Sequence, residues 1–338
     1  MSGFASPAAF DAALRALPVA RADSIAAAAD RQAQLTKPAG SLGRLEEIAL
    51  FFAGWQGTIR PVIENARAVI FAGNHGVTVH GVSAFPTSVT AAMVDNFRHG
   101  GGAINALAQA AGMDVEIVAL DLDRPTADFT VGAAMDEADC LTALSAGAAA
   151  VDTGLHLLIV GEMGIGNSTA ATALCARSFG GSATGWVGPG TGVDQAGIAR
   201  KIAVVDRALA HHAGAAPTPF EILRRLGGRE IAAIAGAVVQ ARHLGIPVVL
   251  DGFISCAAVA PLATSVPAIT DHLIAGHRSA EPGHRRLLEQ LGLRPLLSLD
   301  MRLGEGSGAA LAVSIIRGAL AAHNGMATFA EAGVAGRE

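Results

Sequence analysis

Two glutamates stand among glycines at points where the chain turns from apolar to polar. Glu305 lies in GEGSG (304–308), after the run LLSLDMRL, and Glu162 lies in GEMGIGNST (161–169), directly after LHLLIV. A carboxylate held between glycines at the mouth of a site, with Met301 and Leu303 limiting its solvation, has a raised pKa and suits general-base work. A glutamate on a solvated loop is the competing reading.

GEMGIGNST suggests a second kind of chemistry. Its glycines permit a tight turn, and free N–H groups with Ser168 and Thr169 at a helix start can cradle a phosphate. The segment nearly meets the P-loop pattern GxxxxGK[ST], but Asn167 occupies the lysine position, which counts against NTP hydrolysis. It is not GxGxxG either, because Thr169 stands where the third glycine belongs, so a dehydrogenase is the weakest candidate. A plain strand-to-helix turn would also look like this. Glu162 would repel an anion, so its place in such a loop implies a cationic or proton-donating neighbour. GPGTG (188–192) is a second glycine-rich loop, followed by Asp194 and a helix bearing Arg200 and Lys201, and is weak evidence alone. The eleven histidines form no HExxH or other close metal pattern, and each reads as structural, so neither a metal nor a cofactor is expected.

The elements needed to position these residues follow from the apolar runs. Strands are expected at 68–72, 115–120, 155–160, 246–250 and 296–299, with a further one in 183–187. Helical stretches cover 88–111, 135–150, 169–179, 193–212, 229–243, 253–260, 284–291 and 308–323. This alternation predicts an α/β fold with a mostly parallel sheet of about six strands and helices on both faces. Glycines and acids recur at the strand ends: GNHG after Phe71, DLD after Leu120 and DGF after Leu250. Open parallel sheets bind ligands at the carboxyl ends of their strands, so these turns read as one assembled site. Residues 1–60 contain no convincing strand and read as a small helical domain, with 324–338 packing on it; residues 61–323 form the large catalytic domain.

Composition narrows the class. The 338 residues are 51% hydrophobic and the mean hydropathy is +0.43, yet no run approaches the ~20 apolar residues of a spanning helix. The excess is largely alanine, which suits close helix packing, so no membrane association is expected. The first twenty residues lack a basic start followed by an apolar core and do not read as a signal peptide. Three cysteines without a CxxC pair favour a reducing, cytoplasmic setting. A net charge of −5, no tyrosine and 4% aromatics argue against nucleic-acid binding.

Taken together, KPAGSLGRLE (37–46), FAGNHGV (71–77), GVSAFP (81–86), GEMGIGNST, the 190–201 stretch, DGF, SAEPGH (279–284) and LDMRLGEGSGAA (299–310) resemble the nicotinate-nucleotide–dimethylbenzimidazole phosphoribosyltransferases of cobalamin assembly. They occur in order along nearly the whole chain. The resemblance implies a Rossmann-like large domain, a small helical domain built from the chain ends, and a homodimer. It implies nicotinate mononucleotide and a benzimidazole-type base as substrates, with Glu305 as general base and Glu162 as a second acid. Gly164, Gly166, Asn167, Gly190, Gly192, Lys201 and Ser279 would hold the ribose phosphate, and Ser83, Phe85, Met301 and Leu303 would line the base pocket. The chain departs from the family pattern at Asn74, where members often carry aspartate, and at Ala91 and Ala92, where a glutamine is expected before Met93. Two rivals stay open: a non-catalytic nucleotide-binding module, and a P-loop-like NTP-dependent enzyme.

Overall fold

The structure, a computed structural model of the chain, describes residues 3–190 and 192–335. Thr191 of the GPGTG loop, residues 1 and 2, and residues 336–338 of the expected C-terminal segment lie outside the described residues.

The apolar runs form one sheet of five parallel strands in the order β2-β1-β3-β4-β5. The strands are β1 (Ala66–Ala72), β2 (Asp114–Ala119), β3 (Leu157–Met163), β4 (Val248–Leu250) and β5 (Leu273–Ala275). Side chains alternate across the sheet. Val69, Phe71, Leu158, Val160 and Leu250 join one core with the helices Glu137–Ala149, Asn167–Phe179, Arg229–His243 and Phe253–Ser265. Ala68, Ile70, Leu157, Ile159 and Val249 join the other with Arg44–Gln56, Ala103–Ala110 and Ser307–Gly325. Burial on both faces explains why these strands read as unbroken apolar runs.

The chain order reverses between β1 and β3, and such a switch point opens a crevice at the strand ends. On one face, Glu137–Ala149 and Arg229–His243 meet backbone to backbone. A Cβ at Gly147 would strike the Ala233 carbonyl, and one at Gly236 would strike that of Leu144.

Several expected elements differ. The run 183–187 is no strand but begins with the short 3-10 helix Ala183–Gly185. The run 296–299 contributes a single parallel bridge, Leu297 to His277, and the edge strand is β5, hidden in the short apolar LIA. The expected helix 88–111 is two, Ser88–Arg98 and Ala103–Ala110, because Gly100, at φ 80°, turns the chain between them.

The chain ends meet. Leu35 and Thr328 form an antiparallel bridge, and the Arg31 guanidinium donates to the carbonyls of His323, Asn324 and Met326. The first helix, Pro7–Arg15, instead sinks Phe10 and Leu14 into the core and packs against Pro219–Leu226. Among the described residues no helix is long and apolar enough to cross a membrane.

Candidate active site

Glu162 lies near the end of β3, at the switch point, with only 7% of its surface exposed. Its Oε2 accepts a hydrogen bond from the Asn167 carboxamide. Burial, then the neighbouring acids Asp251 and Glu230, push its carboxyl up to about 8. The residue before it must be small: a Cβ at Gly161 would lie 2.7 Å from the carbonyl carbon of Glu305. The backbone of the second glutamate therefore runs directly over β3.

Glu305 adopts φ 63°, between Gly304 at 86° and Gly306 at 82°. Three successive left-handed residues turn the chain sharply into Ser307–Gly325. Asp251, at the end of β4, secures that turn by accepting from the N–H groups of Gly306 (3.2 Å) and Ala309 (2.9 Å), supplying the cap that Gly306 cannot. Glu305 is 6% exposed and its Oε2 has no hydrogen-bond partner. Burial raises its pKa, opposed by the N–H groups of Ile104 and Ala103 at a helix start.

Beside the glutamates a cavity opens, lined in part by Glu162, Ser168, Gly190, Ser279, Glu281 and Arg302. The helix Asn167–Phe179 points its N-terminus here, and its N-cap, Gly166 at φ 97°, provides no side-chain bond to the first N–H groups. Lys201 is 3% exposed; its ammonium donates to Ser168 Oγ (2.8 Å) and the Gly188 carbonyl (3.2 Å). Two of its three donors are thus held by protein, leaving one for a ligand. Burial lowers its pKa, while Glu281 opposes the shift. A Cβ at Gly190 would fall 2.9 Å from Lys201 Nζ, so this glycine leaves room for the ammonium. The corner can hold an anion by a lysine, a helix N-terminus and a hydroxyl.

Of the residues singled out in the sequence, Glu162, Gly164, Asn167, Gly190, Ser279 and Leu303 line this cavity. Lys201 stands behind it through Ser168, and Glu305 flanks it beside Gly304. Gly166 underlies the loop, against Thr78 and His75. Ser83 and Phe85 do not reach the cavity; they sit on the 81–87 loop, where Phe85 is 50% exposed. Met301 is off the lining as well, and its carbonyl accepts from Ala280 N–H. Gly192 lies outside the lining at φ 110°. Asn74 is buried, its carboxamide donating to the Leu122 carbonyl, a bond an ionised aspartate could not make. Ala91 and Ala92 are exposed. Ser168, expected at the helix start, does line the cavity, whereas sequence reasoning missed Asp251, Glu281 and Arg302, although DGF and SAEPGH contained the first two.

Fold and cleft define a doubly wound α/β protein with a ligand site at its switch point. A family model described as "Phosphoribosyltransferase" matches residues 17–334. A nicotinate-nucleotide–dimethylbenzimidazole phosphoribosyltransferase of Novosphingobium aromaticivorans is 77% identical over 335 residues, 99% of either chain. One from Ruegeria sp. is 58% identical, with 96% of each chain covered. The crystal structure of CobT from Thermus thermophilus superposes with a TM-score of 0.87 at 43% identity, covering 93% of this chain and 99% of that one. The chain belongs to the nicotinate-nucleotide–dimethylbenzimidazole phosphoribosyltransferase family.

Proposed function

We propose that the chain transfers ribose 5-phosphate from nicotinate mononucleotide to 5,6-dimethylbenzimidazole or a related base, giving α-ribazole 5′-phosphate and nicotinate, in cobalamin biosynthesis. The observation that carries the reading is the pairing of two buried carboxylates, Glu162 and Glu305, across Gly304, next to the Lys201 anion corner. A pure anion site gains nothing from two buried acids. A phosphoryl-transfer site would want a lysine where Asn167 stands.

In this reading the anion corner holds the donor phosphate through Lys201, Ser168 and the N–H groups after Gly166. The donor carries a pyridinium at C1′, whose charge favours the ionised form of Glu162. One imidazole nitrogen of the base attacks C1′ as the C1′–pyridine bond breaks, and that electron pair leaves with nicotinate. The proton on the opposite nitrogen passes to the carboxylate of Glu305, whose raised pKa suits it to the task. Attack from the far side turns the β-nucleotide into an α-riboside.

Residues 1–60 and the chain end from 324 would act as a small domain, supported by the Leu35–Thr328 bridge. A homodimer would cover the exposed Val79, Phe85, Leu299 and Leu303. A cytoplasmic setting fits three buried free cysteines. The test is incubation with nicotinate mononucleotide and a panel of bases, in excess chelator, with products identified by mass. A riboside phosphate and an equal yield of nicotinate are expected; no product with any base, or product only after magnesium is restored, would overturn the reading.

A further inference from the structure

Behind the phosphate loop lies a buried pair that the proposed reaction does not use. His75, in the GNHG turn after β1, places Nε2 2.5 Å from Oε1 of Glu230, and both side chains are fully buried. Glu230 sits in the first turn of Arg229–His243, where a helix N-terminus favours a carboxylate. That helix is locked to Glu137–Ala149 at Gly147 and Gly236, so the pair stands on a firm base.

Glycines from three segments close around it. A Cβ at Gly73 would fall 2.5 Å from Glu230 Oε2, one at Gly164 2.9 Å from Oε1, and one at Gly166 3.2 Å from His75 Cβ. A Cβ at Gly228 would strike the His75 ring. Gly164 and Gly166 belong to the turn that joins Glu162 to Asn167, so the backbone of that turn rests on the pair. His75 Nδ1 and Glu230 Oε2 have no hydrogen-bond partner, a further cost of burying polar groups here. Apolar side chains would fill such a space with less desolvation. Holding one loop geometry is what a polar pair adds.

We infer that His75 and Glu230 are positioning residues: together they seat the 164–167 turn, and with it Glu162 and Asn167, to receive the donor. The inference rests on the proposed reaction. Glu230 also acts on Glu162 through charge. After burial and Asp251 it is the next influence raising the Glu162 pKa; Glu305 adds to it and Asn167 opposes it. Across the cavity stand His277, Glu281 and Arg302.

The test compares Glu230→Gln and His75→Gln with the parent chain, reading kcat/KM for nicotinate mononucleotide from about pH 6 to about pH 9. Removing the Glu230 charge should lower the Glu162 pKa and move the acid limb of the profile to lower pH. The donor KM should rise, by up to about 10²-fold if the turn shifts, while the KM of the base stays unchanged. Mere loosening of the fold would lower rates at every pH and leave the limb in place. A folded Glu230→Gln protein with its limb and donor KM unmoved overturns the inference. Should that variant fail to fold, His75→Gln supplies the donor-against-base KM split, and an even change in both KM values overturns it equally. A parent chain that transfers nothing defeats the reaction instead; calorimetric affinity for nicotinate mononucleotide then decides, weaker binding in the variants supporting the pair's role and equal binding overturning it.

Discussion

The Cβ that Gly304 lacks would lie 2.5 Å from Oε1 of Glu162. The loop that carries one glutamate is thus fitted against the carboxyl of the other. Gly304→Ala should displace Glu162, both by contact and because φ 86° disfavours a side chain by about 1–2 kcal/mol. Turnover should fall on the order of 10²-fold with the melting temperature lowered only modestly. Parental turnover in this variant would show that the fit has no catalytic weight.

Glu305→Gln keeps the side-chain shape but cannot take a proton. The expected loss is about 10²–10⁴-fold in turnover, with donor binding retained by calorimetry. A variant keeping more than about a tenth of the parental rate would remove Glu305 from the role of base.

Lys201→Ala should weaken donor binding roughly 10- to 100-fold, the range for a hydrogen bond to a charged group. At 3% exposure the ammonium is poorly screened by salt. The loss should therefore persist in concentrated salt, and titrations at two ionic strengths measure it. A loss that vanishes in salt would show that Lys201 acts on the phosphate only at long range and not by a direct, buried contact.

The Glu162 carboxyl binds its proton more tightly folded than unfolded, its pKa rising from 4.5 to about 8. Its contribution to stability is complete below the unfolded value and declines as pH rises through the folded one. The ligand-free protein should lose melting temperature from about pH 4.5 to about pH 8, the window this shift defines, and level off above it. Glu162→Gln should flatten that slope. An unchanged slope in the variant would assign it to other groups.

The central strands were legible because burial on both faces leaves only apolar residues, as in LLIV of β3. β5 was not, since three residues of LIA between a 3-10 helix and GHR carry no period. LLSL at 296–299 has a strand's composition, but Leu299 is 56% exposed and Asp300 turns at φ 55°, so pairing stops at one bridge. The glutamates were legible through their glycines, which mark places where backbone must approach closely. Glu230 was not singled out. It lies in GGREIAAIAG, where Gly227 and Gly228 read as an ordinary helix start, and the other glycines around it, Gly73 and Gly164, are distant in sequence and meet it only in the fold.

Glu305 is held at φ 63°, where glycine is at ease and a glutamate is strained. Between two glycines already turned the same way, a third would be the more stable choice. Selection for heat survival and selection for turnover therefore pull this position in opposite directions. A randomised codon at 305, sorted by survival alone, would drift to glycine and yield a sturdier, inactive protein. Sorted by turnover, it would return to glutamate, and the gap between the two outcomes measures how much durability the chain forgoes to keep its base in place.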